Sequence, residues 1–176
     1  DVFLKFLSAE VPAAQIMMIT GFGGAIVMVI AALASGAPIY STKIWNRHVV
    51  IRTLADLIGS IFFVWSLVLL PLTVLSSIIQ AIPLAVTAGA ALILKEKVGL
   101  RRWSAIFVGF IGVMIIIRPS ADGFEIGAIL ALFMVASLTI RDLATRRMKS
   151  DLPSLTLSIY AFLAFGAAGI ISLGID

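Results

Sequence analysis

The chain contains no cysteine, which excludes disulfide frameworks and thiolate-bound metals and leaves the redox compartment open. Its one histidine, His48, is too little for an imidazole metal cluster. No HExxH pattern or serine–histidine arrangement is present, and the acids are scattered. Intramembrane hydrolase or transferase chemistry, which needs such groups clustered, therefore has little to work with. The absence of a GxxxxGK[ST] loop removes the usual phosphate cradle of a nucleotide-driven pump. Charged residues make up 12% of the chain, about half their share in a soluble domain. Such a chain has too little polar surface to face water.

What is there is apolar: 61% hydrophobic residues and a mean hydropathy of +1.17. Runs bounded by charge or by Gly and Pro cover residues 12–34, 51–70, 73–94, 103–117, 126–140 and 154–173, after the apolar end of another helix at 2–7. A chain that opens on Asp1 in DVFLKFL reads as starting partway along a helix. No basic segment followed by a small-residue cleavage site precedes the first run, so nothing resembles a signal peptide. A hydrocarbon core of about 30 Å takes about 20 helical residues. The two short runs, 103–117 and 126–140, still qualify because Arg101, Arg102, Arg118 and Arg141 at their ends can snorkel to the interface. Barrel strands would be shorter and strictly alternating, so the runs are helices. The expected fold is an all-α membrane protein, a polytopic helical bundle.

The basic residues alternate from one connection to the next. Lys43, Arg47 and Arg52 fall in one, Lys95, Lys97, Arg101 and Arg102 in another, and Arg141, Arg146, Arg147 and Lys149 in a third; the intervening connections hold only Lys5 and Arg118. Eleven against two matches the retention of cations on the cytoplasmic side, and predicts cytoplasmic loops at 35–50, 95–102 and 141–153. The net charge of +4 is accounted for by this pattern and implies no nucleic-acid partner.

DVFLKFLSAEVP at 1–12 is echoed by DLATRRMKSDLP at 142–153: Asp1, Lys5, Glu10 and Pro12 match Asp142, Arg146, Asp151 and Pro153 at one offset of 141. Five spans lie between the copies, so the second is inverted, as in secondary transporters whose two halves rock about a midplane site.

LKEKVGLRRW followed by GFIGVMIIIRP, after a span containing Ala81 and Pro83, resembles the EamA-type half of the drug/metabolite transporter superfamily. DVFLKFLSAEVPAAQI resembles that family's first helix-to-helix junction, and the likeness runs along nearly the whole chain. The resemblance implies ten helices in two inverted repeats in a bacterial inner membrane. It makes residues 1–140 the first five-helix repeat, truncated at its N-terminus, and 126–176 the first two helices of the second. It implies a cargo such as an amino acid, nucleoside-like compound, vitamin or drug, and no cofactor. Relatives resembling this subgroup often have arginine where PAAQIMMIT ends in Thr20; its absence puts an anion contact from that helix in doubt.

Polar groups inside spans are costly and mark either cavities or helix contacts. Thr73, Ser76, Gln80 and Thr87 share one helical face, with Gln80 the deepest large polar group. Pro83 removes a backbone donor and frees the carbonyl of Ile79, so a kink is expected beside Gln80. These residues either wall a site or glue helices together. Asp56, with Thr53 and Ser60, makes a second polar face. Arg52 is four residues away, within reach for a salt bridge; the alternative is that Asp56 couples transport to protons. Asp142 and Arg146 have the same spacing. Trp65, beside Phe62 and Phe63, is either packing or an aromatic platform. Gln15 and Thr156, related by the 141 offset, are candidates for a shared cavity. Glu96, flanked by Lys95, Lys97, Arg101 and Arg102, neutralises a tight turn. Gly21, Gly24 and Ala25 cluster for close helix approach.

The function expected from this is secondary transport of a small metabolite by alternating access, with the lipid bilayer as surroundings and room for a homodimer. A membrane scaffold or assembly protein without transport is the alternative.

Overall fold

A computed structural model describes residues 11–40, 42–117, 126–148 and 153–173. The expected stub at 2–7, and Asp1, Lys5, Glu10, Arg118, Lys149 and Asp151, lie outside them.

The described residues form helices α1 (Ala13–Ser35), α2 (Arg47–Leu69), α3 (Leu72–Ile79), α4 (Ile82–Ile93), α5 (Leu100–Ile117), α6 (Ile126–Arg147) and α7 (Ser154–Leu173), with a 3₁₀ turn at Thr42–Trp45. Six stretches are long and apolar enough to cross a bilayer, α3 and α4 together making one of them. No strand occurs among the described residues. Helix ends follow local chemistry. Pro12 precedes α1, and Gly36 closes it at φ 69°, a left-handed position suited to glycine. The Asn46 side chain accepts from the His48 N–H and starts α2. The expected kink is present as a break: α3 ends at Ile79, and α4 begins at Ile82 with Pro83 in its first turn.

Two boundaries differ from the sequence reading. The third basic connection does not start at 141, because α6 continues to Arg147. Its segment contains neither Gly nor Pro after Gly127, and arginine is a good helix former. The first basic connection likewise ends at Asn46, before α2 begins at Arg47.

α1 packs along α7, and α2 along α6. Both pairs are antiparallel. On the first, a side chain at Gly169 would meet Met18 and Ala14, one at Gly21 would meet the Gly166 backbone, and one at Gly24 would meet Phe162. On the second, Gly59 faces Leu138 and Gly127 faces Leu70, with Phe62 stacked on Phe133 at 5.5 Å between ring centroids. Lipid tails are as apolar as the helices, so close backbone approach and van der Waals packing must hold the bundle together. α4 packs on α6, and α5 on α4 and α3. Leu67, Leu75, Ile78, Ala131 and Met134 are fully buried together in one core. Ile19, Ile26 and Ile30 of α1 and Phe107, Val108 and Ile115 of α5 face outward, as lipid-facing residues do.

The three basic connections meet at one end of the bundle. There Arg147 donates to the Ile93 carbonyl at 3.0 Å, and Arg146 pairs with Glu96 at 3.4 Å. Thr156 Oγ1 donates to the Pro38 carbonyl at 2.5 Å, and Tyr160 donates to that of Ile39 at 3.2 Å.

Candidate functional site

A cavity of about 380 Å³ opens between α1, α2, α6 and α7, lined by Ile16 and Thr20 from α1, Arg52, Asp56, Ser60, Phe63 and Val64 from α2, Arg141 from α6, and Ser158, Ala161, Phe162 and Phe165 from α7. Its volume falls in the range of about 300–1,000 Å³ usual for small-molecule pockets.

The glycines that bring the helices together also place these groups. Contact at Gly21 and Gly166 sets α1 against α7, with Thr20 and Ser158 turned to the cavity. Contact at Gly59 sets α2 against α6, one turn from Asp56. Arg141 then reaches across: its Nη1 donates to Asp56 Oδ1 at 2.9 Å, and its Nε donates to Asp142 Oδ1 at 2.9 Å. Asp56 and Arg141 are 19% and 30% exposed, so the pair sits in a half-dry environment that strengthens it.

This corrects the expected pairing. Arg52 does not bridge Asp56; Asp56 belongs to Arg141, and the Nε and Nη1 of Arg52 are shielded from solvent with no hydrogen-bond partner. Asp142 does not pair with Arg146 either, since Arg141 takes Asp142 and Arg146 takes Glu96. In both cases a contact between helices, or a nearer neighbour, outcompetes the four-residue spacing along one helix.

The resulting surface combines one unpaired cation, one cation–carboxylate pair, three hydroxyls and three phenylalanine rings. It can hold an organic molecule by stacking and charge-assisted hydrogen bonds. Among the described residues, no group of three His, Cys, Asp or Glu side chains converges to hold a metal.

The model of the EamA-like transporter family matches residues 1–118, about two thirds of the chain, and that stretch includes both α1 and α2. The chain belongs to the EamA-like transporter family. It is 35% identical over 117 residues to a riboflavin transporter of Vibrio cholerae, covering 64% of this chain and 38% of the relative. It is 24% identical over 161 residues to an S-adenosylmethionine uptake transporter of Rickettsia prowazekii, covering 92% of this chain and 54% of the relative. A riboflavin transporter of Rhizobium johnstonii is 37% identical over 84 residues, 48% of this chain and 28% of the relative. The chain spans about half the length of these relatives or less. No solved structure matches it.

In this EamA-like chain the cavity gathers Thr20, Arg52 and Asp56 from the residues singled out in sequence, with Ser60 of the same polar face and Phe63 from beside Trp65. The others lie elsewhere. Gln80 lines a shallow groove between α3, α4 and α5 with Ser77, Leu84, Gly109 and Gly112, one helical turn from Pro83. Ser76 is exposed, and its hydroxyl donates back to the Leu72 carbonyl at 2.6 Å. Trp65 is 40% exposed in an outer groove with Met17, Ile61 and Ile171. Gln15 is exposed. Thr156 is fully buried and serves the Pro38 carbonyl. Glu96, Arg101 and Arg102 are exposed at the basic end.

Arg141, Ser158, Phe162 and Phe165 are among the cavity residues that the sequence did not mark as site residues. Arg141 looked like an interfacial anchor because it ends the apolar run. The 141 offset would have found Phe162 as the counterpart of Gly21, but a bulky residue opposite a glycine is not itself a signal.

Proposed function

We propose that the chain forms part of a secondary transporter that carries a small ring-bearing metabolite across the bacterial cytoplasmic membrane by alternating access. The cavity between α1, α2, α6 and α7, with its phenylalanine wall and charged floor, carries this reading. The relatives' names agree with it, since riboflavin and S-adenosylmethionine are both ring compounds with polar arms. Transport rather than catalysis is the activity that the family and the relatives' names support.

Residues 1–140 make the first inverted repeat and 126–176 the start of the second. Supporting this, α1 begins at Ala13 and α7 at Ser154, separated by the 141 residues that also relate Pro12 to Pro153. The two helices pack antiparallel, as elements related by an in-plane two-fold axis do. The basic end faces the cytosol, on the retention of cations there. Bilayer lipids and the cargo are the partners, with a second copy of the chain as a further one.

Reconstituting the intact protein in liposomes and measuring uptake of riboflavin, S-adenosylmethionine and nucleosides tests the reading. Saturable flux of one compound, competed by its analogues, is expected. Folded protein that moves none of a broad metabolite panel would overturn transport in favour of a scaffold.

A further inference from the structure

Arg52 carries hydrogen-bonding capacity that nothing in the bundle uses. Its Nε and Nη1 are shielded from solvent and unpartnered, while it lines the cavity. The acids within reach are committed elsewhere: Asp56 and Asp142 both bond Arg141 at 2.9 Å. One guanidinium is therefore hydrogen-bonded by two carboxylates, while the other feels the same two acids only through space. A guanidinium keeps its charge at any cellular pH and presents five N–H donors in a planar fork. Inside a membrane span such a group is costly and calls for a partner. The neighbouring hydroxyls of Thr20, Ser60 and Ser158 can share hydrogen bonds but cannot neutralise it.

The geometry points to Arg52 as the oxyanion receptor of the cavity, taking the carboxylate or phosphate of a cargo whose ring-bearing body lies against Phe162 and Phe165. A carboxylate or phosphate oxygen accepts a charge-assisted hydrogen bond from a guanidinium. Asp56, one turn along the same helix, is already bonded to Arg141, so the charged end of a cargo is left to Arg52. The cargo is then an organic anion or zwitterion rather than a neutral ring compound. This inference rests on the transporter reading for the cargo's passage, but not for its binding.

Binding is measured on the intact protein in phosphatidylcholine nanodiscs at low salt, with 3-phenylpropionate against its amide and phenyl phosphate against phenol. Wild type is expected to bind each anion about tenfold or more tightly than its neutral partner, the scale of a charged hydrogen bond. Arg52→Gln should abolish that preference, and Arg52→Lys should restore part of it. Equal binding of anion and neutral partner by wild type, or a preference that survives Arg52→Gln, overturns the proposal. Should Arg52→Gln fail to fold, the wild-type comparison and Arg52→Lys still decide. Loss of the preference on adding phosphatidylglycerol would show that lipid phosphate fills the site, and would overturn a cargo role. Flux is read separately: a clear anion preference without transport of any probe leaves Arg52 as receptor and sinks the transporter reading instead.

Discussion

Arg141 on α6 grips Asp56 on α2 at 2.9 Å, joining residues 85 positions apart in the chain. The pair ties together the two helices that form one side of the cavity, and it leaves Arg52 free to face inward. Its worth should lie between that of exposed pairs, about 0–1 kcal/mol, and the 3–5 kcal/mol lost on breaking fully buried ones.

A double-mutant cycle measures it. Asp56→Asn and Arg141→Gln should each lower stability by about 1–3 kcal/mol, with a coupling energy of about 1 kcal/mol or more. The same cycle on Asp56 and Arg52 should give less than about 0.5 kcal/mol. The readout is reversible unfolding in mixed micelles; a larger coupling for Arg52 would mean that the four-residue pair along α2 is the real one.

The α1–α7 contact predicts a sharp contrast between neighbouring glycines. A Cβ at Gly21 would run into the Gly166 backbone, whereas one at Gly23 meets nothing within 4 Å. Gly21→Ala should therefore cost about 1–3 kcal/mol through overpacking, and Gly23→Ala should be neutral or slightly stabilising, since alanine favours helix. Thermal unfolding of the two purified variants is the comparison, and equal melting temperatures would contradict the packing.

Transport should depend on the cavity and not on the outer groove. Thr20→Val removes a cavity hydroxyl and should reduce flux several-fold, the scale of one lost hydrogen bond of about 1 kcal/mol. Gln80→Leu, in the groove between α3, α4 and α5, should reduce it less. Initial uptake rates normalised to folded protein check this; a larger loss for Gln80 would move the site to the broken helix.

Orientation can be tested cleanly because the chain has no cysteine of its own. Lys97→Cys, at the basic end, should react with a membrane-impermeant maleimide only after cells are permeabilised. Thr73→Cys, exposed near the opposite end of the bundle, should react on intact cells. Labelling of both from the same side would refute the assignment of the basic end to the cytosol.

The spans and the chemistry that breaks them could be read from the chain because each obeys a local constraint. A bilayer requires about 20 apolar residues per crossing and internal hydrogen bonding of the backbone, whatever the neighbouring helices do. Pro83 breaks its helix, and Gly36 ends another, by their own covalent geometry. The alternation of Lys and Arg likewise needs only sequence order, and the fold brings those connections to one end.

The partners of the charged groups were decided by tertiary structure. Along α2 alone, Arg52 is the natural mate of Asp56. Contact at Gly59 and Gly127 brings α6 close enough that an arginine far away in sequence displaces it. Trp65 and Gln80 stand out because polarity and aromaticity are visible in a sequence, while the direction of their helix faces, which puts them in other grooves than Arg52 and Asp56, is not. In hydrocarbon, apolar residues suit both lipid and protein contacts, so pattern alone cannot choose the inward face; small residues that let two backbones touch make that choice, and only in the assembled bundle.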